Sequence, residues 1–314
     1  MNLTNTIETE YANITEIKKT EIEYDTKSVS ELYNLFQKWF YDHKNIWHVV
    51  HDIFDRKIMK ETYLKRDYTP QDITGLCLKM QDFSKEYGFE YCGIFLTTLI
   101  ENHFEKTKQK EPYLIITENL PPVEYLCEGL DGPNVIINGN VGQEFCSQLK
   151  NGKIILNGSC GEKVCQDMIN GEVYINGSTK KFAGLHMQNG TLIVEGNTDE
   201  RCGSETYGGY ILIKGNTKDL VGVRKRGGTI VITGDSGYGT GWEMSGGLLV
   251  IKGNTEENIG GCMLKGTIII EGNCKKQIGA YATGGTIIID GEIESISNNT
   301  FQTKIIQKGK ILRP

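Results

Sequence analysis

From residue 128 onward the chain repeats one short pattern of apolar and polar positions. A glycine is followed by one polar residue, three apolar residues, one polar residue and a second glycine, as in GTIIIEG at 266–272. The second glycine recurs as Gly139, Gly158, Gly177, Gly196, Gly215, Gly234, Gly253, Gly272 and Gly291, each step being nineteen residues. The first recurs with the same step as Gly152, Gly171, Gly190, Gly209, Gly228, Gly247, Gly266 and Gly285. Self-similarity on this scale predicts a solenoid of stacked repeats.

Successive side chains of a strand point to opposite faces, so three consecutive apolar residues cannot share one side. Thr267 and Glu271 are polar and must look outward. Ile268 and Ile270 then face the interior, and Ile269 turns out with its polar flanks. The same reasoning puts Ile155, Tyr174, Ile193, Leu212, Val231, Val250, Ile269 and Ile288 on one outward apolar stripe, a candidate interaction surface. Either the N-terminal helices of the same chain bury it, or part of it is left for a partner subunit; a helix of about 17 residues spans only about 25 Å and would not cover the whole line.

A second strand is expected in each coil, its interior positions falling in the columns of Val164, Gln166 and Met168. Those columns continue as Ala183, Leu185 and Met187, as Thr240, Trp242 and Met244, and as Ile259, Gly261 and Met263. Glycines at both corners are expected to turn with positive φ, and Asn140, Asn197, Asn216, Asn254 and Asn273 to tolerate left-handed turns and stack into amide ladders. In the polar column after the triplet, Glu195 precedes Lys214 and Lys252 precedes Glu271, so neighbouring rungs present opposite charges. At about 4.8 Å per rung, nine coils make a rod of roughly 40 Å.

The first 112 residues follow a different period. SVSELYNLFQKWFYDHK, NIWHVVHDIFDRKIMKE, TPQDITGLCLKMQDFSKEYG and EYCGIFLTTLIENHFEKTK place apolar residues three and four apart, which predicts four helices. Ser28 or Ser30, Asn45, and Thr69 before Pro70 mark their starts, and Gly88 is a stop for the third. PYLIITENLPP reads as a first strand. The expected organisation is α+β and multidomain: a helical domain at 1–112, a parallel β-helix at 113–291 and a C-terminal capping tail at 292–314, whose Lys304, Lys308, Lys310 and Arg313 discourage end-to-end stacking, with a homo-oligomer through the strand edge of the last coil near Gly291 as the alternative.

Composition narrows the function classes. The formal charge is −6 and no nucleic-acid motif is present, so no nucleic-acid partner is expected. The N-terminus lacks the apolar core of a signal peptide and no apolar run reaches membrane length, so a cytoplasmic protein without a membrane partner is expected. Nine cysteines without a CxxC pair fit a reducing compartment.

The pattern GNTEENIGGCMLKGTIIIEGN, with VGVRKRGGTIVITGD and IGAYATGGTIIIDGE, resembles the GXGXG repeat domain found at the C-terminal end of the glutamate synthase large subunit and in one of the subunits of formylmethanofuran dehydrogenase. The likeness covers about residues 128–291. It implies a right-handed β-helix that holds other domains or subunits together without carrying chemistry, with no cofactor of its own. A non-catalytic assembly module is therefore expected, or an accessory subunit of a redox complex of either kind.

An enzyme is the rival expectation. Asp167, His186, Glu205, Arg224 and Glu243 fall on five successive coils in one outward column, with Tyr207 and Arg226 nearby. A polymeric or sugar-like substrate lying along that column would meet a base, an acid and a cation, whereas a solvated ladder of ion pairs accounts for the same residues. Cys127, Cys146 and Cys165 also fall nineteen apart and read as small buried thiols, with a disulfide or soft-metal site as the alternative. His48 and His51 beside Asp52, with His43 a turn earlier, read as histidines of an amphipathic helix, with a metal site as the alternative. The glycines of DSGYGTGWEMSGG at 235–247 lack the strand, loop and helix order of a phosphate site; they read as corners, and Trp242 as a bulky core residue.

Overall fold

The structure, a computed structural model, describes residues 23–43, 56–83 and 91–313. Four α-helices are present among the described residues, α1 (Thr26–His43), α2 (Arg56–Thr62), α3 (Pro70–Met80) and α4 (Cys92–Thr107), with a short 3-10 turn at Gln81–Phe83. They are followed by strands β1 (Tyr113–Ile116), β2 (Val135–Asn138), β3 (Lys153–Asn157), β4 (Glu172–Ile175), β5 (Thr191–Val194), β6 (Tyr210–Ile213), β7 (Thr229–Ile232), β8 (Ser245–Ile251), β9 (Lys265–Ile270), β10 (Thr286–Ile289), β11 (Lys304–Gln307) and β12 (Lys310–Arg313). The strands pair in chain order. Every pair from β1 to β11 is parallel, and β12 folds back antiparallel on β11. The chain is thus a parallel β-solenoid of about ten turns behind a small helical region, as the periodicity predicts.

The helices sit on the first rung. Thr69 caps α3, accepting from the Asp72 N–H at 3.2 Å while the Asp72 carboxylate accepts from the Thr69 N–H. Helix α1 begins at Thr26, ahead of both serines expected to start it. Ser28 lies inside the helix and donates instead to Asp72 Oδ2 at 3.0 Å, and the Asp25 N–H donates to Oδ1 at 3.2 Å. One buried carboxylate therefore ties the start of α1 to the start of α3. Asp72→Ala leaves these donors without an acceptor, and a loss of about 2–3 kcal/mol in urea unfolding is the expected result. Phe36, Trp39, Phe40, Phe83 and Phe95 form the aromatic centre of this region, the Trp39 and Phe95 rings lying 5.1 Å apart.

Helix α3 packs on β1, where Thr74 Oγ1 donates to the Leu114 carbonyl at 2.6 Å. Helix α4 lies over the first coil: Thr97 Oγ1 accepts from the Cys127 N–H at 2.8 Å, and Tyr91 stacks on Tyr125 at 5.7 Å. Gly93 permits this approach, since a Cβ there would fall 2.0 Å from the Glu124 carbonyl oxygen.

The second segment of each coil is not a strand. In the coil containing Cys165, φ is positive at Lys163, Cys165 and Asp167 and negative between them, and the pattern recurs at Arg201, Gly203 and Glu205. Each residue of one parity closes a tight turn, as Gln166 N–H to Lys163 O and Met168 N–H to Cys165 O. Those of the other parity bond to adjoining coils, as Cys165 N–H to Phe145 O and Asp167 N–H to Leu185 O. All these amides are thereby satisfied without a β-ladder. Because the backbone winds rather than pleats, the side chains do not alternate: Val164, Cys165 and Met168 face the interior, while Gln166 and Asp167 face out. In the column expected to face inward, Gln166, Leu185 and Trp242 are accordingly only half-buried, while Gly261 is buried.

The asparagines act differently from expectation as well. Asn140, Asn197, Asn216, Asn254 and Asn273 do not take positive φ. Each side-chain oxygen accepts the backbone N–H one rung on, as Asn216 N–H to Asn197 Oδ1 at 2.8 Å and Asn273 N–H to Asn254 Oδ1 at 2.9 Å. The amide-to-amide ladder exists two columns earlier, Asn176 to Asn157 at 2.6 Å and Asn157 to Asn138 at 2.8 Å.

Candidate functional site

Two surfaces carry the residues singled out from the sequence. The first is the polar column of the turn segments. Its side chains stand one above the next because every coil repeats the same positive-φ position, at Asp167, His186, Glu205, Arg224 and Glu243. His186 Nδ1 lies 3.2 Å from Asp167 Oδ1 and its Nε2 3.6 Å from Glu205 Oε2. Arg224 Nε is 2.8 Å from Glu243 Oε2, and Arg224 Nη1 is 3.8 Å from Glu205 Oε1. The predicted column is brought together as a continuous chain in which acidic side chains alternate with His186 and Arg224.

Its flanks come from the neighbouring positions. Arg226 Nη1 donates to the Tyr207 hydroxyl at 3.1 Å, its guanidinium stacking 4.8 Å from that ring. Trp242, displaced from the core by the winding of the turn segment, stacks on Tyr238 and donates its Nε1–H to Glu243 Oε1 at 3.0 Å. The hydrogen bonds from Arg224 and Trp242 hold the Glu243 carboxyl below its ordinary range, so it stays ionised and is not a proton donor near neutral pH. Asp167, His186, Gln188 and Tyr207 line a shallow groove of about 440 Å³.

The second surface is the outward stripe. In β7, β9 and β10 burial alternates along the triplet, with Val231, Ile269 and Ile288 half-buried between fully buried neighbours; Val250 in β8 is likewise half-buried. Rung by rung they are in register, Val231 on Val250, Val250 on Ile269 and Ile269 on Ile288. In the first half of the solenoid the corresponding residues are buried: Ile155 is 3 % exposed, Tyr174 4 %, Ile193 5 % and Leu212 4 %. Beside the stripe, Lys214 Nζ meets Glu195 at 3.1 Å, the opposite-charge neighbour pair expected there.

Cys127, Cys146 and Cys165 are free and buried, as are Cys160 and Cys202. Burial pushes the Cys146 and Cys165 thiols well up, which keeps them protonated. Their column becomes Gly184, Gly203, Gly222, Gly241 and Gly260, all at positive φ, and a Cβ at Gly184 would fall 2.5 Å from Ile211 Cδ1. No group of three or more metal-binding side chains occurs among the described residues. His48, His51 and Asp52 lie outside the described residues, and His43 ends α1. No helix among the described residues is long and apolar enough to cross a membrane. The interior hides one charge that the repeat pattern does not announce: Lys225 is fully buried in the column that holds Met168, Met187 and Met244.

A scan of family models and a search of curated proteins each found no match to this chain.

Proposed function

We propose that this chain is a non-catalytic assembly module, and that the C-terminal half of its outward stripe seats a partner subunit. The observation that supports this reading is the in-register line of Val231, Val250, Ile269 and Ile288, left half-buried on a parallel sheet. A continuous apolar line on an ordered sheet suits a partner that offers its own apolar ridge. An accessory subunit of a redox complex is the narrower form of the same proposal, supported by the resemblance of the repeat to the glutamate synthase and formylmethanofuran dehydrogenase domains. A cytoplasmic location agrees with the free thiols.

The carbohydrate-acting reading has less support. Asp167, Glu205 and Glu243 are each engaged by His186, Arg224 or Arg226, and Glu243 is held ionised. Glycoside cleavage requires one carboxyl kept protonated to assist the leaving group.

The test is the mass of the protein isolated from its own cell. The wild-type chain is expected to run well above its 35.1 kDa, in fixed stoichiometry with a partner. Val250→Glu with Ile269→Glu should return it to the mass of one chain while its circular dichroism is unchanged. A wild-type chain that runs alone removes the proposal.

A further inference from the structure

The polar column beside the open half of the stripe is charged and unpaired. Upstream the same column is closed on itself: Asn138, Asn157 and Asn176 form the amide ladder, Lys214 meets Glu195 at 3.1 Å, and the Thr233 hydroxyl donates to the Lys214 carbonyl. The second opposite-charge pair that the sequence suggests, Lys252 with Glu271, does not form. Lys252, Glu271 and Asp290 are exposed, and none of them makes an ion pair with another described residue. They continue the parallel ladder, as Lys252 N–H to Ile232 O and Glu271 N–H to Ile251 O, both at 2.9 Å. Standing two positions after Val250, Ile269 and Ile288, they point to the same face as the stripe. The other flank, Thr229, Leu248, Thr267 and Thr286, carries no charge. Pairing inside the column therefore ends at the rung where the stripe opens, and from there a cation followed by two anions lies along one side of it.

The spacing of the rungs selects the form of a partner. Val231, Val250, Ile269 and Ile288 lie at about 0, 4.8, 9.6 and 14.4 Å along the rod. A helix laid along the stripe presents apolar residues i, i+3, i+7 and i+10 at about 0, 4.5, 10.5 and 15.0 Å, one to each rung and within about 1 Å of it. An extended segment in the same direction turns a side chain to the sheet only every 6.7 Å or about that, and is out of step by the second rung. A second copy of this chain fits poorly. Setting Lys252 against Glu271 of another copy requires antiparallel rods and lays β11 and β12 over β6 and β5, whose Leu212 and Ile193 are already buried. Parallel rods set Lys252 against the uncharged Leu248 instead.

We propose that the partner reads the open half of the stripe with an amphipathic helix laid along the rod, carrying an acidic residue opposite Lys252 and basic residues one and two turns further, opposite Glu271 and Asp290. This rests on the reading of the stripe as an interface, and adds the partner's local fold and its order of charge.

Photo-crosslinking of the complex in its own cell tests it, with a photoreactive residue placed in turn at positions 252, 271 and 290 of the full chain. The three are expected to join one partner segment, the site joined from 271 about three residues and that from 290 about seven residues from the site joined from 252, with acidic residues at the first and basic residues at the others. Steps of about one and three residues, those of an extended segment, overturn the proposal, as does joining to a second copy of this chain. Lys252→Glu should weaken the complex at least about tenfold at low ionic strength, and less as salt is added, while Lys180→Glu, at an exposed lysine away from the stripe, leaves it unchanged. Equal affinities of these two variants overturn the proposal as well. Isolation of the wild-type chain alone removes the reading on which it rests; a complex that forms without those joins removes only the helix.

Discussion

Gly158→Ala is expected to cost at least about 3 kcal/mol of stability, while Gly309→Ala costs about 1 kcal/mol, although only Gly309 has a backbone conformation that alanine disfavours. Gly309 turns the chain from β11 into β12 with φ at +75°, and a Cβ there would meet nothing within 4 Å. Gly158 does not take positive φ, yet its Cβ would fall 2.2 Å from the Gly139 carbonyl oxygen one rung below. That oxygen belongs to the backbone, so relief requires the rungs to separate. The two rungs are joined there by the Gly139 N–H to Asn157 O bond and by the Asn157 to Asn138 side-chain bond, which separation would break. Urea unfolding followed by far-ultraviolet circular dichroism measures both variants. Equal costs would show that these corner glycines are not there for close approach.

The same two glycines mark where the sequence is readable. Both glycine series are visible as a metre, and the metre alone yields the stacked rungs and the outward turn of Ile269. It does not distinguish the reasons for the two series. Those that open strands, such as Gly152 at φ +115° and Gly266 at φ +99°, serve the left-handed region; those that end strands, such as Gly158 and Gly272, serve contact between rungs. A sequence records the absence of a side chain and not which of the two demands removed it.

The turn segments defy a sequence reading for a related reason. Val164 and Met168 are consistent with a strand of period two, and only the alternating sign of φ moves Gln166, Leu185 and Trp242 to the outside. The polar column is legible all the same, because a nineteen-residue step stacks any column, whatever the local winding. Its lateral partners are not. Trp242 reaches Glu243 and Arg226 reaches Tyr207 through the turn geometry, which no spacing reveals. Burial of the stripe from Ile136 to Leu212 is equally invisible, since the apolar triplets of β3 and β10 are alike in type while the exposure of their middle residues differs.

Lys225 is the one cation in a column of methionines, and it makes the most pH-sensitive prediction. Its side chain lies between the levels of Thr206 and Met244, and its ammonium donates to the carbonyls of Gly227 and Gly228, the latter at 2.7 Å. A Cβ on Gly247 would fall 2.5 Å from Nζ, so that glycine makes room for the charge. Burial lowers its pKa from the ordinary 10.5 to about 8. Below pH 8 the amine is protonated both folded and unfolded, and the folded state bears the full penalty of the buried charge. Between pH 8 and 10.5 the unfolded chain binds the proton more tightly, so stability rises with pH across that window, by about 3 kcal/mol in total. Buried thiols act in the opposite sense: the pKa of Cys202, raised to about 12, makes the unfolded state lose its proton first as pH rises. The wild-type curve alone therefore mixes both effects, and the difference from Lys225→Met isolates the lysine. At pH 7 the methionine variant, matching Met187 and Met244 in its column, is expected to be more stable by about 1–2 kcal/mol, the lost hydrogen bonds to the two carbonyls offsetting part of the gain. By pH 10.5 the advantage should vanish or reverse, because the neutral amine keeps its hydrogen bonds without the charge. Urea midpoints of both proteins at pH 7, 9 and 10.5 decide the matter: a difference that does not change with pH would mean that Lys225 is solvated in the folded chain.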